Sequence, residues 1–157
     1  MKNDFVMIPN LSEQIGLAAE IAARAHAGQT DKAGVPYICH PIMVSSCCKD
    51  VMTKCMAMLH DVLEDTDVTA EELLASGVVP EVVDAVRLLT HSDKDEPYLD
   101  YVRRIADSGN VAAMTVKYLD LCDNLGELRD RHGVVPPKRD KYLQAKAILS
   151  EVLNGTK

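Results

Sequence analysis

The sequence lacks several features that would direct it to other protein classes. Its 157 residues include no tryptophan and one phenylalanine, so aliphatic and methionine side chains must form the core, which suits helices better than sheets. No uninterrupted apolar run is long enough for a membrane span, and the N-terminal segment lacks the apolar stretch of a signal peptide. The five cysteines form no CxxC pair, which favours core thiols in a reducing cytoplasm.

An excess of positive charge is also missing. The chain has 24 acidic and 17 basic residues, for a formal net charge of −7. Such a surface repels polyanions, so nucleic acid is disfavoured as a partner. A small phosphorylated substrate remains compatible, because a bound metal ion can dominate the field locally. Assembly into a homo-oligomer is left open.

Helix signals recur from end to end, and no segment shows sustained strand alternation. The sequence therefore predicts an all-α fold, a single-domain irregular bundle of about eight helices over residues 1–157. Its motif-bearing core covers about 11–130. The caps and breakers predict helices over 11–27, 41–48, 51–64, 69–77, 80–90, 97–109, 110–129 and, at the C-terminus, about 137–154.

The segment HDVLED at residues 60–65 is the strongest local signal for chemistry. On a continuous helix, His60 and Glu64 lie one turn apart, as do Asp61 and Asp65. Burying so many ionisable groups is unfavourable unless they are paired or bind a metal ion. A solvated helix end would explain Glu64 and Asp65, but it suits His60 and Asp61 less well because apolar residues flank that pair.

Two further residues add to this metal-binding hypothesis. Asp120 lies on an apolar predicted helix, with Asn124 one turn later, and His40 follows the Gly- and Pro-containing loop 28–40. Two imidazoles and two carboxylates from three segments suit a borderline divalent ion such as Mn, Fe, Co, Ni or Zn, and are too nitrogen-rich for Ca or Mg. Taken singly, His40 could be a helix-start histidine and Asp120 a salt-bridged acid.

Three stretches carry a family resemblance: AHAGQTDKAGVPYICHP at 25–41, MLHDVLEDTDVT at 58–69 and VKYLDLCDNL at 116–125. In these stretches the chain resembles the HD superfamily of metal-dependent phosphohydrolases. Within that superfamily it more closely resembles the hydrolase domain of RelA/SpoT proteins and the stand-alone metazoan SpoT homologue. The resemblance covers roughly residues 11–130, with the motifs in the family order.

The resemblance implies a site and a reaction. It implies one divalent metal ion, usually manganese, bound by His40, His60, Asp61 and Asp120. It further implies that Glu64 and Asp65 position and activate water at the scissile phosphate, and that Lys32 and Asn124 contact the nucleotide. The implied reaction removes pyrophosphate from the 3′ position of guanosine tetra- or pentaphosphate.

Asp31 departs from the family pattern, in which the residue before Lys32 is usually an arginine beside the base. A carboxylate cannot stack as a guanidinium does, and it repels phosphate. Other substrates therefore stay open, for example an adenosine 3′-pyrophosphate or NADPH. A further alternative is a non-catalytic nucleotide-binding domain with the same fold.

The remaining histidines are assigned to structural or solvated positions. His26 ends the first predicted helix, where a helix-terminus or core role is expected. His91 and His132 lie in polar segments and are expected to be exposed.

Overall fold

The computed structural model describes residues 10–155, so residues 1–9, on which the signal-peptide prediction depends, lie outside it. Within the described range there are nine helices, and the one β-type pairing is an isolated bridge between Thr30 and Pro36. The all-α prediction is confirmed. The helices are α1 (Leu11–Ala25), α2 (Cys39–Cys47), α3 (Val51–Leu59), α4 (Val62–Asp65), α5 (Ala70–Ala75), α6 (Pro80–Leu89), α7 (Tyr98–Asp107), α8 (Val111–Asn124) and α9 (Arg139–Gly155).

Several helices begin at the capping residues that the sequence indicates. The Asn10 side chain accepts backbone N–H bonds in the first turn of α1. Thr69 and Glu72 form the predicted capping box at α5. Asn110 accepts the N–H of Ala113 at 2.9 Å at the start of α8. These bonds satisfy amide groups that have no partner inside the helix.

The apolar helix α3 lies at the centre of the bundle and packs against α1, α2, α6 and α8, while α9 packs against α7 and α8. Met56 and Leu59 of α3 are fully buried together with Leu121 and Leu149. A helix that is apolar on most sides is stable only when neighbours surround it. This packing carries the end of α3, and therefore His60, into the interior. None of the described helices is both long and apolar enough to cross a membrane.

The prediction of one helix over 51–64 was wrong. The first helix ends at Leu59, His60 and Asp61 form a turn, and α4 follows. At this turn the His60 N–H bonds to the Ala57 carbonyl three residues earlier, and the His60 ring bonds to the same oxygen at 2.6 Å. Composition alone favours helix here, but these two local bonds interrupt the regular ladder.

Helix α8 ends at Asn124, earlier than its predicted end near residue 129. Gly126 has a positive φ of 80°, and the N–H of Glu127 bonds to the Cys122 carbonyl at 2.9 Å. This is the Schellman arrangement that ends many helices. As a result, residues 125–138 form a loop that turns back toward the predicted ligands.

Candidate metal centre

The beginning of α2, the turn between α3 and α4, and the helix α8 bring the four predicted metal ligands together. His40 Nε2 lies 3.2 Å from His60 Nε2 and 3.0 Å from Asp120 Oδ1. Asp61 Oδ2 lies 3.0 Å from His60 Nε2 and 3.6 Å from His40 Nε2. Each of His40, His60 and Asp120 is buried and offers one ligand atom within 4.8 Å of the others. These residues form a candidate site for a divalent metal ion.

The hydrogen bonds of the two imidazoles determine which nitrogen faces this site. His60 Nδ1 donates to the Ala57 carbonyl, and His40 Nδ1 donates to Asp123 Oδ2, both at 2.6 Å. Because each Nδ1 carries the proton, each neutral ring directs the Nε2 lone pair at the shared centre. Two lone pairs 3.2 Å apart repel one another unless a cation or a proton lies between them. The donor set therefore fits a divalent ion.

The electrostatics of the centre favour a bound cation. Burial raises the pKa of the Asp61 and Asp120 carboxyls, but His60 next to Asp61 and Lys117 next to Asp120 outweigh it, so both pKa values are lowered. Burial lowers the pKa of His60, yet the two carboxylates raise it well above its ordinary value. The carboxylates are therefore ionised at neutral pH, and the imidazoles lie in a field that attracts positive charge.

Lys117 is an unpredicted member of the site. Its Nζ lies 2.8 Å from Asp120 Oδ2 and faces the rings of Tyr98 and Tyr101 at 5.5 and 5.3 Å. Burial lowers the pKa of Lys117, but the Asp120 carboxylate and the two tyrosines raise it well above its usual range. Its ammonium group therefore stays charged and fixes one oxygen of Asp120, which leaves the other oxygen facing the histidines.

A cavity of about 400 Å³ opens beside the candidate metal site. Five of the predicted site residues line it: Asp61, Glu64, Asp65, Asp120 and Asn124. Its wall also presents four tyrosines and three lysines, namely Tyr37, Tyr98, Tyr101, Tyr142, Lys94, Lys117 and Lys138. A cavity of this size, with aromatic surface and convergent charged groups, can hold a small phosphorylated molecule.

Glu64 and Asp65 face the cavity from the short helix α4. Glu64 Oε1 accepts the backbone N–H of His91 at 2.7 Å, and Glu64 Oε2 lies 3.6 Å from Lys94 Nζ. Desolvation and the carboxylates of Asp61 and Glu64 raise the pKa of Asp65. Glu64 is therefore fixed in orientation, and Asp65 holds a proton to a higher pH than an ordinary aspartate does.

The two predicted substrate contacts lie in different surroundings. Asn124 lines the cavity and donates from Nδ2 to Asp120 Oδ1 at 2.9 Å, so it also orients a candidate metal ligand. Lys32 is exposed and does not belong to the cavity wall. Its contact with a nucleotide stays a prediction.

The expectation that His91 is exposed was wrong. His91 is half-buried at the cavity wall, where its ring stacks on Tyr101 at 4.6 Å and its Nε2 donates to the Glu96 carbonyl. The polar segment around it folds back over the cavity, which local composition does not reveal. The expectations for the other two histidines are confirmed, because His26 is buried at the end of α1 and His132 is exposed.

Sequence reasoning missed other residues that support the centre. Tyr37 donates from Oη to Asp61 Oδ2 at 2.5 Å, and it stands inside the PYICHP stretch as a local signal. Asp123 lies three residues after Asp120 on an apolar helix, which is also a detectable spacing. Arg129, which donates to Asp123 at 2.9 Å, comes from the loop after α8 and has no comparable signal.

Comparisons with known proteins identify relatives of this chain. No protein-family model matches the chain. A guanosine-3′,5′-bis(diphosphate) 3′-pyrophosphohydrolase of Vibrio cholerae is 37% identical over 128 residues, covering 76% of this chain and 18% of that protein. The human guanosine-3′,5′-bis(diphosphate) 3′-pyrophosphohydrolase MESH1 is 32% identical over 154 residues, covering 88% of this chain and 84% of that protein.

A solved structure gives the same result at the level of the fold. It is described as a metazoan orthologue of SpoT that hydrolyses ppGpp, and it matches with a TM-score of 0.69 and 28% identity. The match covers 92% of this chain and 87% of the other. The chain thus spans under a fifth of the length of the Vibrio relative, but most of the length of the small animal proteins.

Proposed function

We propose that this chain, which belongs to the HD-type family of guanosine-3′,5′-bis(diphosphate) 3′-pyrophosphohydrolases that includes human MESH1, removes the 3′-pyrophosphate of guanosine tetra- or pentaphosphate with the help of one divalent ion. The convergence of His40, His60, Asp61 and Asp120 beside a cavity carries the proposal. We propose manganese as the metal, because two imidazoles and two carboxylates suit a borderline ion.

A bound divalent ion lowers the pKa of a water ligand and neutralises charge on the phosphate oxygens. Glu64, held by the His91 N–H, orients the attacking water and accepts its proton. The water oxygen bonds to the 3′ phosphorus while the bond from that phosphorus to the ribose 3′ oxygen breaks. Asp65, whose pKa is raised, donates the proton to the departing 3′ oxygen. Guanosine tetraphosphate and water thus give guanosine 5′-diphosphate and pyrophosphate.

The cavity wall supports a substrate that carries several phosphates. Lys94, Lys117 and Lys138 supply positive charge, although the chain as a whole is acidic. Tyr98 and Tyr142 supply ring surface on which a nucleobase can pack. We propose that phosphates lie near the lysines and that the base lies toward the tyrosines of α7 and α9.

The alternative of another nucleotide, such as an adenosine 3′-pyrophosphate or NADPH, keeps one supporting observation. Asp31 and Lys32 occupy the positions where the family resemblance places two base-contacting residues, and neither side chain lines the cavity. The carboxylate of Asp31 is itself offset by Arg129 and Arg131, each 3.7 Å away, so it does not oppose a phosphate-bearing substrate. Phosphate chemistry is therefore better supported than the identity of the base.

Product identification tests the proposed function. The protein is incubated with manganese and, separately, guanosine tetraphosphate, an adenosine 3′-pyrophosphate and NADPH, and the products are identified by mass spectrometry. We expect guanosine 5′-diphosphate and pyrophosphate from the first, and none with Asp61→Ala. Faster turnover of a different nucleotide would replace the substrate assignment. A folded, manganese-loaded protein that turns over none of the three would favour the non-catalytic alternative.

The five cysteines support a cytoplasmic location, which we also propose. All are free thiols, as expected in a reducing compartment. Cys48, Cys55 and Cys122 are buried, whereas Cys39 is half-buried and Cys47 is exposed, so the expectation that all five fill the core was wrong for these two. Burial raises the pKa of the Cys48 and Cys122 thiols to about 11, which keeps them protonated and unreactive at neutral pH.

A further inference from the structure

A chain of charged contacts leads from the loop before α2 to the ring of His40. Asp31 Oδ2 lies 3.7 Å from Nη1 of Arg129. Arg129 Nε donates to both carboxylate oxygens of Asp123, at 2.9 and 3.0 Å. Asp123 Oδ2 in turn accepts the Nδ1 proton of His40 at 2.6 Å. Three separate segments of the chain therefore meet behind a single candidate metal ligand.

We propose that Asp123 is a positioning residue that holds His40 with Nε2 toward the metal centre, and that Arg129 and Asp31 hold Asp123 in place. The inference rests on the proposed role of His40 as a metal ligand. A carboxylate that accepts the other ring N–H fixes the orientation and tautomer of a ligating histidine and makes its free nitrogen more basic.

The burial of Asp123 supports this role over an incidental contact. Its side chain is 0% exposed, and both of its oxygens are occupied, one by Arg129 alone and the other by Arg129 and His40. A buried carboxylate persists only when it is paired and hydrogen-bonded. Arg129 supplies the opposite charge and His40 supplies a further donor, so both oxygens of the Asp123 carboxylate are hydrogen-bonded in this buried position.

Asp31 is held as tightly at the other end of the chain of contacts. Its Oδ1 accepts the backbone N–H groups of Ala33 and Val35 at 2.8 and 3.0 Å, and its Oδ2 lies 3.7 Å from both Arg129 and Arg131. Desolvation raises the pKa of Asp31, but these N–H bonds and the two arginines lower it. An arginine at position 31 would repel Arg129, so the acid at this position and the Arg129–Asp123 pair belong to one arrangement.

Metal affinity tests the role of Asp123 directly. Manganese binding is measured by titration calorimetry for the wild type, Asp123→Asn and Asp130→Asn. We expect Asp123→Asn to weaken binding by about 10–100-fold, because the new amide can donate to His40 Nδ1 and favour the wrong tautomer. Asp130 is the matched control, since it is an exposed acid in the adjacent loop that bonds only to His132. Its variant should bind as the wild type does.

A spectroscopic measurement separates positioning from general stability. In the zinc-loaded protein, the Nδ1 proton of His40 should resonate far downfield because it is bonded to a carboxylate. That resonance should move upfield in Asp123→Asn and stay in place in Asp130→Asn. Wild-type manganese affinity and an unmoved resonance in a folded Asp123→Asn protein would overturn the inference.

Two further variants keep the inference testable if Asp123→Asn fails to fold. Arg129→Gln and Asp31→Asn should each weaken manganese binding, with Arg129→Gln weaker than Asp31→Asn because Arg129 contacts Asp123 directly. Affinities equal to that of Asp130→Asn would contradict the proposal. If His60→Ala loses manganese binding while Asp123→Asn, Arg129→Gln and Asp31→Asn all keep wild-type affinity, the proposed function stands and only this inference is removed.

Discussion

His60 and Asp61 project from the same turn, and this places an imidazole and a carboxylate at one candidate metal centre. His60 is held from behind by the Ala57 carbonyl, and Asp61 by the Tyr37 hydroxyl. The candidate ligands His60, Asp61 and Asp120 stand out in the sequence because apolar residues flank them, where an unpaired charge is unfavourable. His40 stands out by its place at the end of the loop 28–40. Asp123 was not singled out, because its role depends on Arg129, which comes from a loop.

Metal binding and water activation are assigned to different residues. Glu64→Gln should bind manganese as the wild type does and lose about 10²–10⁴-fold in turnover, because the amide cannot accept a proton from water. Hydrolysis kinetics and a parallel metal titration measure the two properties. Asp67→Asn is the matched control, since Asp67 is an exposed acid near the same turn that does not line the cavity. Unchanged turnover in Glu64→Gln would remove this residue from the mechanism.

Helix α3 shows that local sequence indicates the burial of a helix but not always the residue at which it ends. The apolar composition of α3 is typical of a buried helix, and α3 lies at the centre of the bundle. The turn at His60 and Asp61 was not predictable, since VMTKCMAMLHDVLE has no Gly or Pro to mark a break. The early end of α8 did carry a signal, the residue Gly126, which a search for C-terminal caps would have found.

The N-cap residue of α3 is expected to contribute to the stability of the fold. Asp50 accepts the Thr53 N–H at 2.9 Å and the Thr53 hydroxyl at 2.7 Å. Asp50→Ala should therefore lower the free energy of unfolding by about 0.5–2 kcal/mol, as measured by urea denaturation at pH 7. Asp67→Ala, which removes an exposed acid outside a cap, should change it by less. Equal effects of the two substitutions would contradict the capping role.

The same cap predicts a pH dependence. The bonds from Thr53 outweigh desolvation and lower the pKa of Asp50 in the folded protein. Because the pKa of Asp50 is lower in the folded than in the unfolded protein, its cap stabilises the fold fully above the unfolded-state pKa of roughly 3.9. This stabilisation is lost as the pH falls through the pKa that Asp50 has in the folded protein. The stability difference between wild type and Asp50→Ala should therefore shrink below about pH 4, and a constant difference would count against it.

For the whole molecule, the centre joins parts of the chain that are distant in sequence. His40, His60 and Asp120 come from α2, the α3–α4 turn and α8, so metal binding requires the folded arrangement of these segments. Their convergence could be predicted only through the family resemblance, because no local pattern sets the distance between remote segments. The extent of the domain, residues 1–157, stays a prediction.

Because the unfolded chain lacks this convergence, metal binding should stabilise the fold. Manganese at about 100 times its dissociation constant should add about 2.7 kcal/mol to the free energy of unfolding, and a chelator should reverse the effect. Thermal unfolding monitored by circular dichroism measures the shift. His60→Ala should show no manganese-dependent shift, and an equal shift in that variant would place the bound ion elsewhere.

The most direct test of the central claim is the manganese content per chain, measured by plasma mass spectrometry after equilibration and removal of unbound ion. We expect one ion per chain in the wild type and in Asp67→Asn, and none in His60→Ala or Asp61→Ala. A wild-type protein that retains no manganese, or a His60→Ala protein that retains as much as the wild type, would contradict it.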